Sequence, residues 1–219
     1  SEALEAAARA LGVTPTALLV ALVGKVLRRF GDGNAGSIAM TLASRWPLAP
    51  DVDRIVGDFT STVLIGLPGD AISLEERISG AHRDIFEALS HSGISGVEIA
   101  RMAARAKGID RFITPVVVTS TLGVGSGGTA ALRLLRPLPD ASISQTPQVL
   151  LDIQFSQSGG GLAIDWDCRE DGFEPAVLDA AFADFVKLLT GIAGTGSIDG
   201  ADPLRSPEHV KRTEGRRCG

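Results

Sequence analysis

An alternating stretch in the second half of the chain constrains the fold more than any other feature. Between residues 148 and 156, one set of alternate positions is apolar: Val149, Leu151, Ile153 and Phe155. The intervening positions are polar: Gln148, Asp152, Gln154 and Ser156. Side chains of a strand alternate between its two faces, so this stretch predicts a strand with one buried and one polar face. The carboxylate of Asp152 is then held on a rigid element, on the polar face.

Two further strands are predicted near this one. Residues 114–120 form a β-branched run that ends in two hydroxyl residues, Thr119 and Ser120, and such a run is typical of a buried strand. Residues 162–169 follow a glycine-rich turn and alternate again, which predicts a hairpin with the strand that carries Asp152. In that hairpin, we expect Asp165 and Asp167 on the face exposed to water.

The rest of the chain alternates between helical and strand patterns. Thr14 and Pro15 have the character of a helix start, and the helix that follows is apolar on nearly every side, so it must be buried. Ser73 and Ser95 each precede a glutamate by three residues, which is the spacing of a helix-starting capping box. Further helices are predicted over residues 2–11 and from Pro175, and further strands over residues 37–44 and 59–67. This alternation predicts an α/β fold.

Length and composition set the size of the folded unit. A chain of 219 residues with 44% hydrophobic residues can bury a substantial core, and it suits one large domain or one lobe of a larger domain. Beyond Gly191 the composition becomes polar and irregular. We therefore predict a folded unit over residues 1–191 and a polar tail or interdomain linker over residues 192–219.

Several functional classes are disfavoured by charge and spacing. The net charge of -5 and the lack of a basic run lined with aromatic residues argue against nucleic acid as a partner. The longest apolar run, Ala17 to Val23, is far short of a membrane span. Two cysteines and three scattered histidines indicate neither a disulfide framework nor a metal site. These features predict a soluble, cytoplasmic protein that binds no membrane.

Three segments resemble motifs of the heterocyclization domains of nonribosomal peptide synthetases, and they occur in that family's order. Residues 57–61 resemble GDFTSL, residues 114–120 resemble PVVFTS, and residues 144–154 resemble SQTPQVWLDHQ. The resemblance spans roughly Ser1 to Gly191 and corresponds to the C-terminal lobe of such a domain. It implies a chloramphenicol-acetyltransferase-like lobe, with a mixed sheet flanked by helices. It also implies that the N-terminal lobe, with its DxxxxDxxS motif, lies outside these 219 residues.

The resemblance also implies a reaction and the residues that carry it. Such a domain joins an acyl or peptidyl thioester to the amine of a carrier-bound Cys, Ser or Thr, and then closes a thiazoline or oxazoline ring with loss of water. The matched motifs make Asp152 the proton shuttle and Thr119 the hydroxyl that orients or relays to it. Ser120, Gln145 and Gln154 are secondary candidates for positioning the substrate.

The implied partners are the N-terminal lobe of the same domain, peptidyl carrier domains and an adenylation domain. No cofactor is expected to bind directly, because phosphopantetheine would arrive on the carrier. The isolated lobe is expected to be inactive.

Alternatives stay open at this point. Val118, Leu150 and Ile153 replace the family's Phe, Trp and His, which we expect to shrink or dry the surroundings of Asp152. The chain could therefore be a degenerate lobe that only docks other domains, or the lobe of an ordinary condensation domain. Without the resemblance, a strand threonine is more often a cross-strand pairing residue than a catalytic one. A hydrolase built from Ser95, His91 and Asp152 would lack the G-x-S-x-G elbow of that class.

Overall fold

The computed structural model of the chain describes residues 2–30, 36–67, 72–109, 114–123, 148–158 and 161–195. Their helices are α1 (Glu2–Ala10), α2 (Pro15–Phe30), α3 (Leu74–Ser90), α4 (Gly96–Lys107) and α5 (Pro175–Thr195). Their strands are β1 (Gly36–Ala43), β2 (Thr60–Leu67), β3 (Val116–Ser120), β4 (Leu151–Ser158) and β5 (Gly161–Cys168).

The five strands form one mixed sheet in the order β2-β1-β3-β4-β5. The central strands β1, β3 and β4 run parallel to one another, while β2 and β5 lie antiparallel to their neighbours at the two edges. The predicted hairpin of β4 and β5 is present, with Ser158 paired to Gly161. A mixed sheet with helices packed on it confirms the predicted α/β class.

Helices α1, α2, α3 and α5 share one core with one face of the sheet. The apolar run of α2 lies at its centre, and residues 17–23 are at most 3% exposed. This is the burial that a helix apolar on all sides requires. Each of the other three helices adds an apolar stripe to the same core, through Leu4, Ile78 and Phe185 among others. The sheet contributes fully buried side chains from its central strands: Ile38, Val118, Ile153 and Phe155.

Helix α4 lies on the opposite face of the sheet, against the edge strand β2. Val63 of β2 points into the core, so its neighbour Thr62 points the other way. A Cβ atom added at Gly96, the first residue of α4, would lie 2.8 Å from Oγ1 and 3.2 Å from the carbonyl oxygen of Thr62. The start of α4 therefore lies so close to β2 that only glycine fits at position 96 without displacing its neighbours.

Both predicted capping boxes are present. The side chain of Ser73 accepts a hydrogen bond from the backbone N–H of Glu76, and the carboxylate of Glu76 accepts one from the backbone N–H of Ser73. The same reciprocal pair links Ser95 and Glu98 at the start of α4. Each box satisfies backbone donors that the first helical turn leaves without partners.

Two boundaries differ from the sequence expectations. Strand β4 begins at Leu151 because Gln148 has a φ of 72°, in the left-handed region, which interrupts an extended backbone. Helix α5 continues to Thr195 past the predicted boundary at Gly191, and Ile192 is fully buried in the core. Residues 196–219 and most of the glycine-rich stretch after β3 lie outside the described residues.

Within the described ranges, no single helix has the length and apolar character needed to cross a bilayer. Helices α1 and α2 taken together pass that test on length and composition, but they are bent by 89° relative to each other.

We predict that Phe185→Ala destabilises the chain by about 3–5 kcal/mol, because it opens a cavity in a fully buried site. The Phe185 ring lies 6.1 Å from Phe155 and 5.7 Å from Trp166, between ring centroids. Phe182→Ala is the matched control: Phe182 also contacts Trp166, but it is 37% exposed, so we expect a loss of about 1 kcal/mol. Urea unfolding of both variants measures the difference, and equal losses would contradict this account of the core.

We also predict that Gly96→Ala destabilises the chain by about 1–3 kcal/mol, because the added methyl group collides with Thr62 and displaces α4 from β2. The control is Gly93→Ala. A Cβ at Gly93 meets nothing within 4 Å, so the expected change is below about 1 kcal/mol. Thermal unfolding of the two variants compares them. If Gly96→Ala is as stable as the control, α4 does not pack as closely as described.

Candidate active site

The parallel pairing of β3 with β4 decides which side chains share a face. Val117 lies beside Asp152, and Thr119 lies beside Gln154. Paired residues of neighbouring strands point to the same side, and successive residues alternate. The neighbouring pair Val118 and Ile153 is fully buried towards the helices. Thr119, Asp152 and Gln154 therefore all point away from the helical core.

We call the sheet face opposite α1, α2, α3 and α5 the polar face. Its side chains on the paired strands are hydroxyl, amide and carboxyl groups for the most part. They include Thr41, Thr62, Thr119, Asp152, Gln154, Ser156, Asp165 and Asp167.

Thr119 and Asp152 are diagonal neighbours on this face. Asp152 pairs with Val117, two residues before Thr119, so the two Cα atoms are about 8 Å apart, given strand spacings of ~4.8 Å and a rise of ~3.3 Å per residue. The side chain of Asp152 is buried, with 9% exposure for the residue, and Thr119 is half-buried. Both side chains therefore project from neighbouring strands on the same face of the sheet.

The secondary candidates fall into three places. Gln154 is half-buried beside Thr119 on the polar face. Ser120 lies on the helix face, where its hydroxyl is 2.8 Å from that of Thr16 at the start of α2. Gln145 lies outside the described residues. The structure thus brings Thr119, Asp152 and Gln154 together and places Ser120 on the other side of the sheet.

The strand pattern predicts Asp167 on the face exposed to water, and the structure places it beside Asp152. The two residues are direct partners across the β4–β5 pair. Asp167 is half-buried, and its Oδ2 atom is buried with no hydrogen-bond partner among the described residues. Burial raises the pKa of Asp167, and the charges of Asp152 and Asp165 raise this pKa further.

A signal for this pair was available in the sequence. Ser158 pairs with Gly161, so two residues connect β4 and β5. Counting back from that turn, each step along β4 matches one step along β5, and the count places Asp167 opposite Asp152. Turn length, rather than alternation alone, carries this information.

The segment that resembles GDFTSL organises the loop before β2. An Asp58 carboxylate oxygen accepts a hydrogen bond from the backbone N–H of Thr60 at 2.8 Å, and this bond lowers the pKa of Asp58. The guanidinium of Arg45 lies 3.7 Å from the centroid of the Phe59 ring and donates to the carbonyl oxygen of Ile55 at 3.0 Å. Through its bond to Thr60, Asp58 ties down the turn at the entrance of β2.

The substitutions relative to the family pattern lie elsewhere than expected. Val118 and Ile153 are fully buried on the helix face, across the sheet from Asp152. Leu150 is half-buried before β4, and a Cβ atom added at Gly172 would lie 3.3 Å from its Cδ2 atom. The expectation that Val118 and Ile153 dry the surroundings of Asp152 is therefore wrong, because alternate strand residues face opposite sides.

Among the described residues, no group of three or more histidine, cysteine, aspartate or glutamate side chains is arranged to hold a metal ion.

Comparisons with known proteins define the class. No family model matches the chain. It is 38% identical over 209 residues to phenyloxazoline synthase MbtB of Mycobacterium tuberculosis, and 34% identical over 218 residues to pyochelin synthetase PchF of Pseudomonas aeruginosa. Each match covers 94% of this chain, which spans 15% of the length of the first relative and 12% of the second.

A solved structure agrees with these relatives. The cyclization-docking bidomain of the synthetase EpoB from Sorangium cellulosum superposes with a TM-score of 0.75 at 34% identity, over 88% of this chain and 39% of that one. Fold and sequence together define a condensation-type domain of a nonribosomal peptide synthetase, with a chloramphenicol-acetyltransferase-like architecture. Within that class, the chain belongs to the heterocyclization domains, as their C-terminal lobe.

Proposed function

We propose that this chain supplies the catalytic face of a domain that forms a peptide bond and then cyclises a carrier-bound Cys, Ser or Thr residue to a thiazoline or oxazoline. The observation that carries the proposal is the position of Thr119 and Asp152, which are diagonal neighbours on one face of the sheet. The relative named as a phenyloxazoline synthase and the neighbour named as a cyclization bidomain support ring formation as the reaction.

Ring formation with loss of water requires one proton to be donated to the leaving hydroxyl and one to be removed from the ring nitrogen. After the peptide bond forms, the side-chain thiol or hydroxyl adds to the new amide carbonyl, and its proton passes to the carbonyl oxygen. The resulting hydroxyl leaves as water only if it receives a proton, and the ring nitrogen must lose one as the carbon–nitrogen double bond forms. A single group that delivers the first proton and accepts the second returns to its starting protonation state, so no further reagent is consumed.

In this proposal Asp152 is that group. It is a buried carboxyl on a strand flanked by strands on both sides, so its position is fixed when the substrate arrives. Thr119 would orient the leaving oxygen or relay the proton, and Gln154 would hold the amide. A well-positioned acid or base of this kind contributes about 10²–10⁴-fold to a rate.

In this proposal the polar face forms one wall of the active site. The N-terminal lobe of the same domain would cover it, and peptidyl carrier domains would bring both substrates on phosphopantetheine arms, after an adenylation domain has activated the amino acid. The lobe alone would be inactive, because nothing would hold the two carrier-bound groups against Thr119 and Asp152. A cytoplasmic location stays a prediction from the sequence.

We predict that Asp152→Asn, introduced in the complete synthetase, slows ring closure by about 10²–10⁴-fold and leaves peptide bond formation in place, because the amide cannot shuttle a proton. Mass spectrometry of the carrier-bound product measures this, since the linear product is heavier than the ring by one water. Asp165→Asn is the matched control. It makes the same change on the same face, at an exposed residue of the edge strand β5.

Four outcomes separate the alternatives. Accumulation of linear product in Asp152→Asn, with normal cyclisation in Asp165→Asn, supports the proposal. Unchanged cyclisation in Asp152→Asn would refute the role of this residue. If the unmodified synthetase forms only the linear product, the domain condenses without cyclising, and if it forms neither product, the lobe only docks other domains.

A further inference from the structure

We propose that Asp167 is a positioning residue for the same reaction, because it faces Asp152 across the β4–β5 pair so that the two carboxyls hold one proton in common. The inference rests on the proposed function and deepens it. Asp152 remains the group that meets the substrate, and Asp167 acts through Asp152.

The side chains of Asp152 and Asp167 lie next to each other on the polar face. Asp152 and Asp167 are direct partners in an antiparallel pair, with the same orientation on the polar face. The Cα atoms of such partners lie about 4.5–5.5 Å apart, and their Cβ atoms are at a similar distance. Two aspartate side chains at this spacing can bring their carboxyl groups into hydrogen-bond contact.

Repulsion between the two carboxylates favours retention of one proton. Asp152 is 9% exposed, and Asp167 buries its Oδ2 atom without a hydrogen-bond partner among the described residues. Two carboxylates held close together at a partly buried site repel each other, so one of them retains its proton to a higher pH than an isolated carboxyl. A proton between the two groups also provides the buried oxygen of Asp167 with a partner.

The charges around Asp167 act in the same direction. Asp152 faces it from β4, and Asp165 lies two residues before it on the same face of β5. Both carboxylates raise the pKa of Asp167, in addition to the larger effect of burial. Since β5 is the outer strand of the described sheet, β4 is its sole strand neighbour there.

The shared proton suits the dehydration step. An isolated aspartic acid, with a pKa near 3.9, is almost fully ionised at neutral pH and has no proton to give to a leaving hydroxyl. A pair that keeps one proton can deliver it through Asp152 as water leaves, which leaves both carboxyls ionised. The pair then regains a proton from the ring nitrogen, so it returns to its starting state after each turnover.

The test is the pH profile of ring closure in the complete synthetase, measured for the unmodified protein and for Asp167→Asn. We expect the alkaline limb of this profile to move to lower pH by about one unit, because the second negative charge no longer holds the shared proton. The profile of peptide bond formation should stay where it is. The control Asp165→Asn should move the limb much less, because Asp165 is exposed and pairs with Gln154 instead of Asp152. Equal profiles for Asp167→Asn and Asp165→Asn would overturn the inference.

A second readout needs no activity. The pKa of Asp167 is higher in the folded chain than its ordinary value of 3.8, so the folded state binds more protons, and stability falls as pH rises from about 4 through the raised pKa. In Asp167→Asn, this fall in stability with rising pH is absent, because the amide does not titrate. The melting temperature of the variant minus that of the unmodified chain should therefore grow with pH across this window and then level off. A purely structural role would give a difference that does not vary with pH, and that result would count against the inference.

The two proposals can fail separately. If Asp152→Asn cyclises normally, the catalytic role proposed for Asp152 fails, whatever Asp167→Asn does. If Asp152→Asn blocks cyclisation while Asp167→Asn behaves like Asp165→Asn, the inference about Asp167 fails alone. Should Asp167→Asn not fold, carbon NMR titration of the Asp167 carboxyl in the unmodified chain decides: a raised midpoint supports the inference, and an ordinary one overturns it.

Discussion

The register between β3 and β4 is the constraint on which the rest of the site depends. A slip of one residue would turn the side chains of one strand to the opposite face and bring Asp152 into the helical core. Both ends of the pairing are held by hydrogen bonds. The backbone N–H groups of Leu150 and Leu151 donate to the carbonyl of Pro115 at 2.8 and 3.0 Å, and the N–H of Thr121 donates to that of Phe155 at 2.9 Å. Between them, burial of the apolar alternate residues makes any other register costly.

One face of the sheet packs against the helices and stabilises the fold, and the other face carries the candidate catalytic groups. On the helix face, Phe155, Trp166 and Phe185 form an aromatic group that anchors β4 and β5 to α5. The same two strands carry Asp152 and Asp167 on the polar face, each adjacent in sequence to a side chain of the core. A carboxyl pair that repels itself needs such a support, because its unfavourable burial must be offset by packing elsewhere.

The hairpin of β4 and β5 explains how the two carboxyls come to lie side by side. A tight hairpin brings a second carboxyl beside the first without any contribution from distant segments, and the two-residue connection leaves little freedom in the register. Thr119 comes from the strand on the other side of β4. The candidate site is thus centred on β4, with a hydroxyl on one flank and a carboxyl on the other.

The sequence by itself determined the local structure and the family. Alternation placed Asp152 and Gln154 on the polar face of their strand, two Ser-to-Glu spacings located the starts of α3 and α4, and three short motifs indicated a heterocyclization lobe. Only the tertiary structure decided the order of the strands, the common face of Thr119 and Asp152, the position of Ser120 on the opposite face beside Thr16, and the approach of Asp167 to Asp152. The reason is physical: periodicity records how one segment divides its own side chains between core and solvent, whereas strand order and register arise from contacts between segments far apart in the chain.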